Sequence, residues 1–148
     1  MLSFFSSNLR TENMEPRQKV LVVDDEELSQ DFLRFFLSKK FDVYTCGNIN
    51  TFYSLINKVD FDLILMDVFL RDHKDGYQLT KELRETEKYK NTPIFIITAH
   101  NTTKDRSESV SVGASRFFTK PLDGRYLLSC VEEVFGKMKK QTVSQISC

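Results

Sequence analysis

Five polar side chains stand where short apolar runs end. Lys19-Val20-Leu21-Val22-Val23 leads into Asp24-Asp25-Glu26, Leu63-Ile64-Leu65-Met66 into Asp67, and Ile94-Phe95-Ile96-Ile97 into Thr98. A fourth run, Arg116-Phe117-Phe118-Thr119, leads into Lys120-Pro121. Three carboxylates in one crevice repel each other by about 4 kcal/mol for a pair ~4 Å apart. A divalent cation would remove that cost. The donors are oxygens, with no His or Cys beside them, so a hard ion is favoured, Mg²⁺ before Mn²⁺ or Ca²⁺. An ammonium from Lys120 and a hydroxyl from Thr98 beside that metal would neutralise a phosphoryl group delivered to Asp67. Singly, each residue is bland: the run Asp24-Asp25-Glu26-Glu27 suits the positive end of a helix dipole, and an isolated Asp67 would cap a helix. The set carries the chemistry.

The set needs a scaffold that brings four chain segments to one edge. Residues 63–66 are apolar without alternation, as in a central strand covered by helices on both faces. Residues 19–23 and 94–97 read as strands of the same kind, 116–119 as a short strand, and 41–46 as a shorter one nearer an edge. The first intervening helix has Leu28, Phe32, Phe35 and Phe36 at helical spacing as its inward face, with Leu33 as a further candidate. Helices are also expected over 50–59 (Phe52, Leu55, Ile56, Val59 inward) and 77–88 (Leu79, Leu83). A thinly apolar helix over 102–112 would end at Gly113. The last, from Asp123, would bury Leu127, Val131, Val134, Phe135 and Met138, with Lys137, Lys139 and Lys140 near its negative end. Five strands alternating with five helices predict a doubly wound parallel α/β sheet with right-handed crossovers. Ligands of such sheets bind outside the carboxyl ends of the strands, where all the residues above fall.

The chain has 148 residues, enough for one well-buried domain, with 41% hydrophobic and 28% charged residues. Its formal net charge of +0 gives no basic excess to draw it onto nucleic acid or an anionic membrane. The apolar runs are far shorter than the ~20 residues of a membrane span, and the N-terminus lacks the features of a secretion signal. Cys46, Cys130 and Cys148 are odd in number and widely spaced, which suits reduced thiols and a cytoplasmic location. The expected organisation is a tail over 1–17, one domain over 18–140 and a short tail over 141–148.

Taken in order, Val22-Val23-Asp24-Asp25-Glu26, Asp67 after its apolar strand, Thr98-Ala99, and Lys120-Pro121 preceded by Gly113-Ala114 and Phe117-Phe118 resemble the motifs of a response-regulator receiver domain of two-component signalling. The likeness covers about residues 18–138 and is closest to stand-alone, chemotaxis-regulator-like receivers. It implies a flavodoxin-like fold with strand order 2-1-3-4-5. It implies Asp67 as phosphoacceptor, taking its phosphoryl group from a histidine kinase or phosphotransfer protein, and no turnover enzyme beyond that self-phosphorylation and slow autodephosphorylation. Mg²⁺ would be held by Asp25, Asp24, Asp67 and the backbone carbonyl of Phe69. Thr98 and Lys120 would contact phosphoryl oxygens, Lys120-Pro121 would be cis, and Phe117 would be the switch aromatic coupled to Thr98. The partner surface would lie on the 102–112 helix, the 116–119 strand and the face of the 123–140 helix.

One stretch departs from that pattern. The family commonly has Pro four residues after the acceptor, where this chain has Arg71, and Gly76 falls one residue late. Arg71-Asp72-His73-Lys74-Asp75 reads as a solvated loop, or as a determinant of partner choice and phosphoryl access. The competing function is a non-phosphorylated receiver acting as a constitutive binding module. A phosphatase of the haloacid dehalogenase type would need a second acid after Asp67, and Asp67-Val68-Phe69 lacks it.

Overall fold

The structure, a computed structural model, describes residues 16–147. The tail expected over 1–17 lies almost wholly outside the described residues. Five strands form one parallel sheet: β1 (Lys19–Val23), β2 (Asp42–Cys46), β3 (Leu63–Asp67), β4 (Ile94–Thr98) and β5 (Arg116–Thr119), in the order β2-β1-β3-β4-β5. Between and after them run α1 (Glu27–Leu37), α2 (Ile49–Lys58), α3 (Gly76–Arg84), α4 (Thr103–Ser111) and α5 (Gly124–Ser147). This is the doubly wound, flavodoxin-like arrangement. The register pairs Val23 with Met66 and Asp67 with Ile97, so β1, β3 and β4 end at nearly one level.

The unbroken apolar strands have the physical role expected of them. Every residue of β3 and β4 is buried. Alternate side chains of the same strands enter two separate cores. Leu21, Ile64, Met66 and Ile96 pack with Phe52, Leu79 and Leu83 on one face. Val20, Val22, Leu65 and Ile97 pack with Leu33, Leu37, Leu127 and Val131 on the other. At about 1.5–3 kcal/mol for each large apolar side chain removed from water, these layers hold the sheet.

The helices differ from expectation in ways that bear on function. In α1 the buried residues are Leu33 and Leu37, whereas Leu28 is 83% and Phe35 70% exposed, Phe32 lies at the surface and Phe36 is half-buried. The helix carries more apolar side chains than one stripe can bury, so spacing alone does not select the inward set. Helix α3 ends at Arg84 rather than 88, where turns take over. Helix α5 continues to Ser147, through the segment expected as a tail, so Lys137, Lys139 and Lys140 stand before its last turn. Cys130 joins its buried face, while Met138 is 40% exposed. Helix α4 is weak as expected: Ser109 is its one buried residue, a Thr102–Asp105 capping box starts it, and Gly113 at φ +89° ends it in a conformation that suits glycine.

Candidate functional site

The strand ends are locked by main-chain bonds that continue the ladders past the last strand residues. Asp24 N–H donates to the Cys46 carbonyl (3.0 Å), Val68 N–H to that of Ile97 (3.1 Å), and Lys120 N–H to that of Thr98 (2.8 Å). The side chains that follow are thereby fixed as a group. Carboxylate oxygens of Asp24, Asp25 and Asp67 lie within 4.8 Å of one another, the one such acidic group among the described residues. Asp24 and Asp67 are almost fully buried.

Lys120 reaches into this cluster from the end of β5. Its Nζ lies 3.0 Å from Asp24 Oδ2 and 3.4 Å from Asp67 Oδ2, with Ser29 Oγ at 3.5 Å. Burial pulls its ammonium down, but the hydrogen bond to Asp24 and the charges of Asp67 and Asp24 outweigh it and hold the lysine above its ordinary range. Burial, and then the charge of Asp24, push Asp67 up to about 6, against the opposing pull of Lys120 and the Phe69 backbone N–H. At neutral pH Asp67 is thus an ionised but poorly solvated carboxylate, the state a nucleophile requires.

Each remaining predicted residue has a definite place. Thr98 is fully buried at the end of β4, and its hydroxyl accepts from the His100 N–H at 3.1 Å. The Phe69 ring is exposed and tilts against the His100 ring, with centroids 4.6 Å apart. Phe117 is half-buried against the first core, and the Arg106 guanidinium of α4 lies over its ring at 4.9 Å. The Lys120–Pro121 peptide is cis. The acidic run does not cap α1 by its N-cap side chain: Glu26 makes no such bond, and Asp24 Oδ1 accepts the Glu26 N–H instead (2.9 Å).

Sequence reasoning missed two participants. Arg71 sits on the third acid, its backbone N–H 3.1 Å and its Nε 3.3 Å from Asp25 Oδ2. Gly76 begins α3 with its Cα pressed against the Asp67 main chain, where any Cβ would collide with the Asp67 carbonyl. The late position of Gly76 was the signal for the second; the departure at Arg71 marked the first, but nothing in the sequence named Asp25 as its partner.

The donor set fits a small hard cation: three carboxylates from two strand ends, oxygen only, with no sulfur or imidazole among them. Lys120 balances Asp24 and Asp67 but does not cancel three negative charges.

Against known proteins, the family model described as the response regulator receiver domain matches residues 20–132. Among curated proteins the chain is 30% identical over 134 residues to the probable transcriptional regulator ycf29 of Porphyra purpurea, covering 86% of this chain. It spans 64% of that relative's length. Among solved structures it is similar to the Vibrio cholerae chemotaxis protein CheY4 (28% identity, TM-score 0.74, 80% of this chain and 98% of that one). The receiver domain of the Francisella response regulator 1452 is similar too, at 27% identity and TM-score 0.75, covering 82% and 99% of the two chains.

Proposed function

Because the chain belongs to the response regulator receiver family, we propose that it is a Mg²⁺-dependent phosphoacceptor of two-component signalling, with Asp67 as the residue modified. The observation that carries this reading is the placement of Lys120 Nζ 3.4 Å from an Asp67 carboxylate that shares its pocket with two further acids. An ionised Asp67 oxygen attacks the phosphorus of a phosphohistidine. The P–N bond breaks, its electron pair leaves with the imidazole, and an aspartyl phosphate forms. Lys120 stands where the added negative charge develops, and Thr98 offers a buried hydroxyl at the neighbouring strand end. Asp25, Asp24, Asp67 and the Phe69 carbonyl would hold Mg²⁺, which supplies charge neutralisation for the incoming phosphoryl oxygens.

The donor's approach is also supported. Beside Lys120 and Asp24 lies an open groove of about 260 Å³ whose other walls are Leu28, Ser29, Phe32, Leu33, Pro121 and Leu122. Leu28, which lines this groove, is exposed, and Phe35 adds a second exposed apolar side chain about two turns further along α1. A phosphohistidine-bearing histidine kinase or phosphotransfer protein that docks there delivers its imidazole to Asp67. The response then leaves by altered protein docking across α4, β5 and α5. Helix α4, which buries least, is the element that yields when Thr98 and Lys120 turn to the phosphate and Phe117 moves.

The test is labelling with acetyl phosphate and with a phosphorylated histidine kinase, each with Mg²⁺. Wild type takes label from both and Asp67→Asn from neither. Phe35→Ala keeps the acetyl phosphate reaction and loses the protein-donor one. Undiminished labelling of Asp67→Asn moves the acceptor elsewhere. No label and no Mg²⁺ affinity in wild type would favour the constitutive binding module.

A further inference from the structure

We infer that Arg71 is a built-in competitor for the metal, occupying Asp25 in the metal-free protein and leaving when a divalent cation binds. This rests on reading the acidic pocket as a Mg²⁺ site. The three carboxylates divide between two cations. Lys120 is bonded to Asp24 and Asp67, and Asp25 Oδ2 takes Arg71. Arg71 meets that single oxygen twice: its main-chain N–H donates to it at 3.1 Å, and its Nε forms an ion pair with it at 3.3 Å. A cation ligated at that oxygen therefore meets the guanidinium charge at the same atom. The main-chain bond fixes the rim, so the side chain is the group that gives way.

Exposure says which partner moves. The Asp25 side chain is 11% exposed, whereas that of Arg71 is 85% exposed. The carboxylate belongs to the pocket, and the guanidinium reaches it from solvent on a long, freely rotating stem. A guanidinium within hydrogen-bonding distance of a divalent ion's ligand also repels the ion directly. Pairing and repulsion act in the same direction. By reciprocal linkage, whatever Arg71 contributes to the metal-free fold is subtracted from metal affinity. An exposed pair of this kind limits the effect to a modest factor.

Calorimetric titration of the full chain with MgCl₂ tests this, on wild type, Arg71→Ala, Arg71→Gln and Arg71→Lys. Arg71→Ala and Arg71→Gln are expected to tighten the Mg²⁺ Kd by about three- to tenfold. Arg71→Lys, which keeps the charge without the Nε, should fall between them and wild type. Lys39→Ala removes the same charge from the loop after α1 and should leave Kd unchanged. The metal-free Tm of Arg71→Ala should fall slightly below wild type, with the two converging in saturating Mg²⁺. Equal or weaker Mg²⁺ binding in Arg71→Ala, or equal tightening by Lys39→Ala, overturns the role given to Arg71 and leaves the metal site standing. Wild type that binds no Mg²⁺ overturns the site itself, and this inference with it.

Discussion

The acceptor pocket has a floor and a rim, and the two are held by different forces. The floor consists of the ends of β1, β3, β4 and β5, each tied to its neighbour by main-chain bonds of 2.8–3.1 Å that extend the sheet ladder. The rim is the loop from Val68 to Asp75, tied down by side chains. Asp72 accepts the Ile49 N–H at the start of α2 (3.0 Å), Lys74 bonds Tyr53 of α2 and Glu82 of α3, and Arg71 bonds Asp25. Ladder bonds come with the register of a buried sheet and are made or lost together. Side-chain tethers at the surface are separable, each worth about 1 kcal/mol or less. A break in the floor should therefore disable chemistry, and a break in the rim should adjust it.

The sharpest test on the floor is Lys120→Met, which keeps most of the unbranched side chain and removes its charge. Removal of one preorganised charge beside a developing anion typically lowers rate by about 10²–10³-fold, and labelling by acetyl phosphate should fall by that order. Asp67 then loses its opposing cation, so the pH at which labelling reaches half its maximum should move above the value of about 6 set by burial and Asp24. A loss under about threefold would mean that the rim, not the floor, governs the reaction.

The same division explains which parts of the molecule the order of amino acids reveals. Apolar runs that end in Asp24, Asp67, Thr98 and Lys120 encode both a central strand and its reactive terminus, so fold and floor are legible together. The rim is not. Arg71 and Lys74 sit among like-looking ionisable residues, and which charge meets which partner depends on how β3 is seated against β1 and α2. The inward face of α1 is hidden for a related reason. Leu28, Phe32, Leu33, Phe35, Phe36 and Leu37 satisfy more than one helical stripe, and only docking against the sheet and α5 chooses Leu33 and Leu37. The surplus becomes a surface beside the pocket.

A second effect on the floor concerns stability. Folding raises Asp67 from 3.8 to about 6, so the fold favours the protonated carboxyl. That preference is fully present below the unfolded-state value and is lost as pH rises through about 6, leaving an ionised group that opposes folding by roughly 3 kcal/mol at neutral pH. Asp67→Asn, neutral at every pH, should therefore unfold at higher denaturant than wild type at pH 7.5 without metal. The two midpoints should converge below about pH 4, where Asp67 is neutral folded or unfolded. Added Mg²⁺ should raise wild type more than the variant, since the metal relieves a repulsion that the amide lacks. Urea midpoints that differ equally at both pH values would mean that the change acts through packing, not charge.

The smallest effect is expected at the rim. The Tyr53 hydroxyl accepts from Lys74 Nζ (2.9 Å) and donates to Glu82 Oε2 (2.7 Å), with the ammonium also 5.5 Å from the ring centre. Burial alone would raise Glu82, but its bonds to Lys74 and Tyr53 outweigh this and hold it below the ordinary glutamate range. Tyr53→Phe deletes one acceptor and one donor while leaving the ring in place and the Lys74–Glu82 pair intact. Lys74 and Glu82 both reach solvent, so neither is left buried without a partner, and the cost should be about 1 kcal/mol by urea unfolding. Acetyl phosphate labelling at saturating Mg²⁺ should stay within about twofold of wild type, because no ladder bond at the strand ends passes through Tyr53. A tenfold loss of labelling would show that the loop between Asp67 and Gly76 transmits strain to the acceptor through its tethers. Floor and rim would then be one cooperative unit, and the separability argued from their bonding would be wrong.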